Sequence, residues 1–300
     1  MDADVLKNLR DQDIKKVSVV IPAKNEADSL AVLLPKLMSL GDYFEIILVN
    51  DGSTDHTSQV CEENAVIEVV HQYSMGNGAA IKSGTRTATG EIIVFMDADG
   101  QHKVEDISLL LTKISEGFDL VVGARERNTH ANWMRLCANE IYNHLASWMV
   151  EQKIPDLTSG FRAVRAHKFR QFLYLLPNGF SYPTTSTMAF YRAGFPVAFV
   201  PIQAKKRLGR SHISPLKDGV RFLLIIFKVC CFYSPLRVFF PVSAIFLCGG
   251  LGYYLYTYLS FGRFTNMGAL LLLSAATIFL IGLVSEQITT LMYKGHENLD

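Results

Sequence analysis

Two stretches near the C-terminal end carry no charge for longer than the core of a soluble protein explains. From Val238 the chain reads VFFPVSAIFLCGGLGYYLYTYLSF, and after GRFTN it reads MGALLLLSAATIFLIGLVS up to Glu286. A helix needs about 20 apolar residues to cross a bilayer, and both runs reach that length. Core helices normally keep a polar face, and neither run has one. Pro241 falls near the start of the first run, where proline is tolerated. Tyr253, Tyr254, Tyr256 and Tyr258 suit a membrane interface. The short connector makes the pair a hairpin. Lys217, Arg221, Lys228 and Arg237 precede it and Lys294 follows it. The positive-inside rule then puts both ends, and the domain before them, in the cytoplasm.

The segment before the hairpin, PLKDGVRFLLIIFKVCCFYSPLR, is apolar apart from a few charges. Lys217, Arg221 and Lys228 fall within about 40° of one another on a helix. Such a stripe suits an amphipathic helix lying in the membrane interface, and equally a solvated edge on a buried helix. The N-terminal MDADVLKNLRDQD is polar and is no secretory signal. The expected organisation is a polar segment over 1–15, a cytoplasmic α/β domain over 16–212, an amphipathic juxtamembrane region over 213–236, a hairpin over 237–293 and a cytoplasmic tail over 294–300. A net charge of +1 in 300 residues speaks against nucleic acid as a partner. The five cysteines are odd in number and include no C-x-x-C, so neither a disulfide framework nor a zinc site is expected.

Within 16–123, the runs KVSVVI, FEIILV, VIEVV, EIIVFM and DLVVG read as strands, most of them continuously apolar, as in a parallel sheet covered on both faces. Amphipathic stretches alternate with them, so a doubly wound, mostly parallel sheet follows. Ligands bind such sheets beyond the carboxyl ends of the strands, and polar turns stand there. PAKNEA follows the first strand, NDGSTD the second and DADGQH, with His102 at its end, the fourth. Asp51 and Asp55 also suit turn or helix-capping roles. Asp97 and Asp99 do not, because adjacent carboxylates repel unless a cation joins them. A D-x-D turn offers hard oxygen ligands to Mg²⁺ or Mn²⁺, Gln101 adds an amide oxygen, and the metal binds a diphosphate. MGNGAAIKSG lacks phosphate-loop spacing. It opens a helix, with Lys82 a lesser candidate for phosphate.

VVIPAKNEA, ILVNDGSTD, GNGAAIKSG, VFMDADGQH and TSGFRA together resemble the family 2 inverting glycosyltransferases of the GT-A fold. With the hairpin and KRLGRSH, the chain is similar to the polyprenyl-phosphate branch, which includes the dolichyl-phosphate mannose synthases and relatives acting on undecaprenyl phosphate. The resemblance implies a metal-dependent transferase that moves a hexose-type sugar from a nucleotide-diphosphate sugar to a polyprenyl phosphate. Its setting would be the bilayer of a bacterial or archaeal plasma membrane, or of the endoplasmic reticulum in a eukaryote. Oligomeric state stays open, a homo-oligomer included. The resemblance also implies that Pro22, Lys24, Asn25, Glu26 and Asp51 hold base and ribose, and that Asp97, Ala98, Asp99 and Gln101 hold diphosphate and metal. Arg125, Arg162, Arg207, Ser211 and His212 would face phosphates. The implied catalytic set is Asp99, Arg125, Arg162 and Arg207. The family usually has lysine where His212 stands.

From Leu157 to Lys217 there is no Asp or Glu, while ten Lys and Arg residues occur. Such one-sidedness points to an anionic partner near the membrane. A hydroxyl acceptor would need a carboxylate base, whereas a lipid phosphate is already ionised. Two other readings stay open: a transferase acting on a hydroxyl with Asp156 as base, and a non-catalytic membrane scaffold.

Overall fold

The structure, a computed structural model, describes residues 3–125, 133–179, 181–203, 231 and 233–294. The chain divides into two compact units, Met1–Ile213 and Ser214–Asp300. The first unit begins with α1 (Ala3–Asp11), β1 (Val17–Ala23), α2 (Ala27–Met38), β2 (Phe44–Asn50), α3 (Thr57–Glu63), β3 (Ile67–Val70), α4 (Asn77–Thr87) and β4 (Ile92–Phe95). A short 3₁₀ turn (Val104–Asp106) leads into α5 (Ile107–Ser115), followed by β5 (Leu120–Arg125), α6 (Trp133–Val150), β6 (Arg162–Arg165), α7 (Ala166–Arg170), α8 (Tyr182–Arg192) and β7 (Val197–Ile202).

The strands form one sheet in the order β3-β2-β1-β4-β6-β5-β7. β1, β2, β3 and β4 run parallel, as the mostly apolar runs predict, with β3 at the exposed edge. β6 runs antiparallel to both β4 and β5. This reversal matters for function. Arg162, at the amino end of β6, pairs with Phe95, the last residue of β4, and with Val122 in the middle of β5. The turn before β6 therefore meets the turns after β4 and β5 along one edge.

Leu30, Leu33, Leu34 and Leu37 of α2 are spaced at i, i+3, i+4 and i+7, and all four are buried. That spacing places them on one helical face. The N-terminal segment adds more than polarity. Val5 and Leu9 of α1, together with Ile14, join the same core cluster.

Glu45 of β2 is a buried carboxylate. It accepts hydrogen bonds from the Ser18 hydroxyl (2.5 Å), the Thr89 amide (2.9 Å), the Thr89 hydroxyl (2.7 Å) and the Lys16 ammonium (3.0 Å). Burial alone would raise its pKa, but these donors outweigh it and hold the carboxyl at about 2.

The second unit contains α9 (Pro235–Phe261) and α10 (Asn266–Lys294). Each holds a 27-residue stretch long and apolar enough to cross a membrane. Only 11% and 17% of their most apolar windows are buried, so these helices present hydrocarbon outward rather than forming a core. The first helix ends at Gly262 in the left-handed conformation (φ 60°), which needs no Cβ. Between the helices, a Cβ on Gly282 would fall 2.6 Å from Phe239 Cβ, so only glycine permits this approach. The Ser243 hydroxyl donates to the Ala275 carbonyl (2.9 Å). At the other end, Glu286 accepts from the Ser234 hydroxyl (3.3 Å) and the Leu236 amide (3.2 Å), which caps the first turn of α9. The amphipathic region predicted over 213–236 lies outside the described residues, apart from 231 and 233–236.

Glu45→Gln should destabilise the protein by about 1.5–3 kcal/mol, the usual range for hydrogen bonds to a charged group. The depressed pKa means that Glu45 stabilises the fold above its ordinary value of 4.5 and loses that contribution as pH falls toward about 2. Denaturant titrations of wild type and variant should therefore differ at pH 7 and converge at about pH 2.

Candidate active site

The turns after β1 and β2 are built around each other. Asn25 sits in the left-handed region (φ 55°), which asparagine tolerates better than most residues. Its amide donates to the Ser53 hydroxyl (3.0 Å), and its side-chain carbonyl accepts from the Thr54 amide (2.8 Å). Asp55 accepts from the Ala27 and Thr57 amides (3.1 Å each) and from the Thr57 hydroxyl (2.6 Å). It therefore caps α3 and fixes the start of α2. Lys24 is exposed beside them, with Pro22 and Glu26 half-buried.

Asp51 is a structural anchor for a loop of which only Met75 and Gly76 stood out in the sequence. Its carboxylate accepts from His71 Nδ1 (2.7 Å), the Ser74 hydroxyl (2.8 Å), the Met75 amide (2.8 Å) and the Gly76 amide (2.9 Å). Burial acts to raise its pKa, but these donors bring it to about 2. His71 Nε2 lies 2.9 Å from the Ser83 hydroxyl on α4. Loop 71–76 is thus latched to the end of β2. It follows β3 directly, and the rule that ligands gather at carboxyl strand ends also covers its HQYS.

Asp97 and Asp99 stand at the tip of β4, half-buried, with Ala98 buried between them. Asp99 Oδ1 accepts the Gln101 amide (3.2 Å), which closes the turn. The Asp97 side chain is 38% exposed and lies 3.9 Å from His102 Nε2. Gly160, in the turn before β6, packs against this carboxylate, and a Cβ there would fall 2.9 Å from Asp97 Oδ2. The reversed strand thus supplies a wall of the D-x-D site.

Arg125 closes the same edge from β5. Its guanidinium donates to both oxygens of Asp156 (2.8 and 3.1 Å) and to the Thr158 hydroxyl (2.8 Å). Burial acts to lower the arginine's pKa, but the bond to Asp156, its charge, and the charges of Asp97 and Asp99 raise it. Asp156 is held below the usual carboxylate range: burial opposes this, and the Arg125 hydrogen bond and charge prevail.

The structure corrects the expectation for Arg162. This residue is fully buried. Its guanidinium donates to the carbonyls of Ser159 and Pro183 and to the hydroxyls of Ser186 (2.8 Å) and Thr187 (3.1 Å). It also lies 5.6 Å from the Tyr182 ring centre. Arg162 fastens β6 to α8 and does not open onto a phosphate site.

The basic stretch is likewise partly neutralised in space. Arg165 and Lys168 pair with Asp119 (3.3 and 2.6 Å), and Arg170 donates to the Ala88 carbonyl (2.6 Å). Their charge is thus not simply offered to an outside anion. Lys82 donates to the Leu176 carbonyl (3.2 Å) and to the Asn178 side chain, turned to a loop rather than to the D-x-D. Arg207, Ser211 and His212 lie outside the described residues.

A mixed α/β sheet with an acidic D-x-D on its carboxyl edge and an arginine beside it defines the class of GT-A-like sugar-nucleotide domains. The chain belongs to Glycosyl transferase family 2, which its residues 18–173 match, and residues 234–291 match the GtrB C-terminal hairpin. It is 30% identical over 249 residues to the undecaprenyl-phosphate 4-deoxy-4-formamido-L-arabinose transferase of Proteus mirabilis, covering 80% of this chain and 74% of that one. Its fold is similar to glucosyl-3-phosphoglycerate synthase from Mycobacterium tuberculosis, solved with Mn²⁺ and UDP-glucose, at a TM-score of 0.61, with 20% identity over 75% of this chain and 82% of the other. The same synthase with Mn²⁺, UDP and glucosyl-3-phosphoglycerate gives a TM-score of 0.60 at equal identity and coverage.

Arg162→Gln should strand several buried acceptors, at about 1–3 kcal/mol for an unsatisfied group. The expected outcome is a lower denaturation midpoint with unchanged affinity for nucleotide and lipid phosphate in the folded fraction. A folded variant of full stability that has lost acceptor affinity would restore Arg162 as a phosphate ligand.

Proposed function

We propose that this chain transfers a hexose-type sugar from a nucleoside-diphosphate sugar to a polyprenyl phosphate, with inversion at the anomeric carbon. The observation that carries this reading is the commitment of Asp156 to Arg125, directly beside the D-x-D. Transfer to a hydroxyl requires a base to take its proton. Asp156 is paired through both oxygens and held ionised, and no acid follows it until after Lys217. A phosphate monoester needs no such base. It needs cationic neighbours as it approaches an anionic diphosphate: Arg125, though paired with Asp156, stays partly open, and Arg207 is proposed to add the uncompensated charge.

In this reading, Pro22, Lys24, Asn25 and Glu26 hold the base and ribose, and Asp51 keeps loop 71–76 beside them. Asp97, Asp99 and Gln101 offer only oxygen donors, a set that fits Mg²⁺ or Mn²⁺. Among the described residues no group of three His, Cys, Asp or Glu is assembled for a metal, so diphosphate oxygens and water would complete the shell. A cation held there would neutralise charge developing on the leaving diphosphate. Arg125 orients the acceptor phosphate, and Arg207, Ser211 and His212 are proposed to join it. An acceptor oxygen then attacks the anomeric carbon from the face opposite the nucleotide, and the sugar–oxygen bond to the diphosphate breaks.

The hairpin supports a membrane-bound acceptor, and the Proteus mirabilis relative carries undecaprenyl phosphate in its name. The charge distribution around the hairpin favours a cytoplasmic catalytic unit. A plasma membrane, or the endoplasmic reticulum in a eukaryote, is the proposed location.

Incubating the protein with polyprenyl phosphate and a panel of nucleotide sugars should yield a lipid-phosphate-linked sugar detectable by mass spectrometry. A sugar linked to a hydroxyl would favour the other acceptor class, and no turnover would favour a scaffold. Asp99→Asn should lower turnover by about 10²–10³, as for removal of other charge-stabilising groups, and excess EDTA should have a similar effect on the wild type. Ending the chain after residue 235 should preserve nucleotide affinity and depress use of bilayer-embedded acceptor. Equal rates with and without the hairpin would reduce it to a tether.

A further inference from the structure

Asp97 has protein on two sides. Gly160 lies against one, close enough that a Cβ would fall 2.9 and 3.1 Å from the two carboxylate oxygens. His102 lies on another, its Nε2 3.9 Å from Oδ2. The imidazole is buried, whereas the Asp97 side chain is 38% exposed.

The ring is held by shape. It stacks on Phe161 with centroids 4.8 Å apart and planes 13° from parallel. Phe161 is itself fully buried, and its carbonyl accepts the Gly123 amide (2.9 Å), which ties the stacking platform to β5. His102 Nδ1 is buried without a hydrogen-bond partner among the described residues. The orientation of the ring therefore comes from the stack, and that orientation brings Nε2 toward Asp97. A buried polar ring kept in this pose calls for a role, because a phenyl ring would stack equally well without leaving a nitrogen unpartnered.

We propose that His102 is a positioning residue for Asp97: its Nε2–H and the backbone at Gly160 confine the carboxylate to the narrow range of orientations that a divalent cation requires. The inference rests on the reading of Asp97 as a cation ligand. The 3.9 Å separation exceeds a hydrogen bond, so the proposed donation requires the carboxylate to turn toward the ring when it takes up a cation. Partners that orient a metal ligand typically change affinity by about 10–100-fold when removed.

The test is Mn²⁺ binding followed by electron paramagnetic resonance, with UDP and in parallel with GDP, alongside the thermal midpoint. His102→Phe keeps the stack and removes the donor, and it should bind Mn²⁺ about tenfold more weakly at a nearly unchanged midpoint. His102→Gln retains an N–H and should recover most of the affinity. Wild-type Mn²⁺ affinity in His102→Phe, with binding lost in Asp99→Asn, overturns the role of His102 and leaves the metal site standing. Absence of Mn²⁺ binding in the wild type with either nucleotide overturns the metal reading and this inference together. If His102→Phe unfolds, His102→Gln decides: weakening equal to that of a non-donor His102→Met overturns the proposal, and affinity closer to wild type supports it.

Discussion

The fork between Arg125 and Asp156 joins the last residue of one strand to the turn that introduces its antiparallel neighbour. Asp156 is nearly buried, with 10% of its side chain exposed. A carboxylate so placed is tolerable only with a cation against it, and removal of either partner would leave an uncompensated charge. The fork also decides what the edge can do chemically. It leaves Arg125 fixed and partly open on the D-x-D side, and it holds Asp156 ionised in a bidentate pair. The proposed choice of a phosphate acceptor leans on this ion pair.

Beneath that edge lies a second cation of a different kind. Arg162 has neutral hydroxyls and carbonyls as its hydrogen-bond partners. Burial acts against its charge, while Tyr182, Asp156 and Asp97 favour it. The acidic rim and the buried arginine are therefore electrostatically linked although they are placed differently, one half-exposed at the strand tips and the other binding β6 to α8.

The doubly wound half of the sheet was legible because its strands are mostly apolar runs, VSVVI and FEIILV each broken by a single polar residue. The D-x-D was legible because a strand end is where such a sheet exposes its ligands. β6 escaped notice because RAVR has only two apolar residues between charged ends, and its strand character comes from pairing on both sides. Arg162 was misplaced for a related reason: an arginine in a glycine turn reads as exposed until the reversed strand carries it inward. Loop 71–76 was missed although the rule applied to the other turns covers it. The grip of Asp51 on that loop was not readable at all, since it reaches the His71 ring 20 positions on and the Met75 and Gly76 amides 24 and 25 positions on.

Glu286 closes the hairpin on itself. Because it caps the first turn of α9 from within α10, this contact needs nothing from the catalytic unit. The pairing of the two helices is thus fastened at its base by a side chain of the hairpin itself.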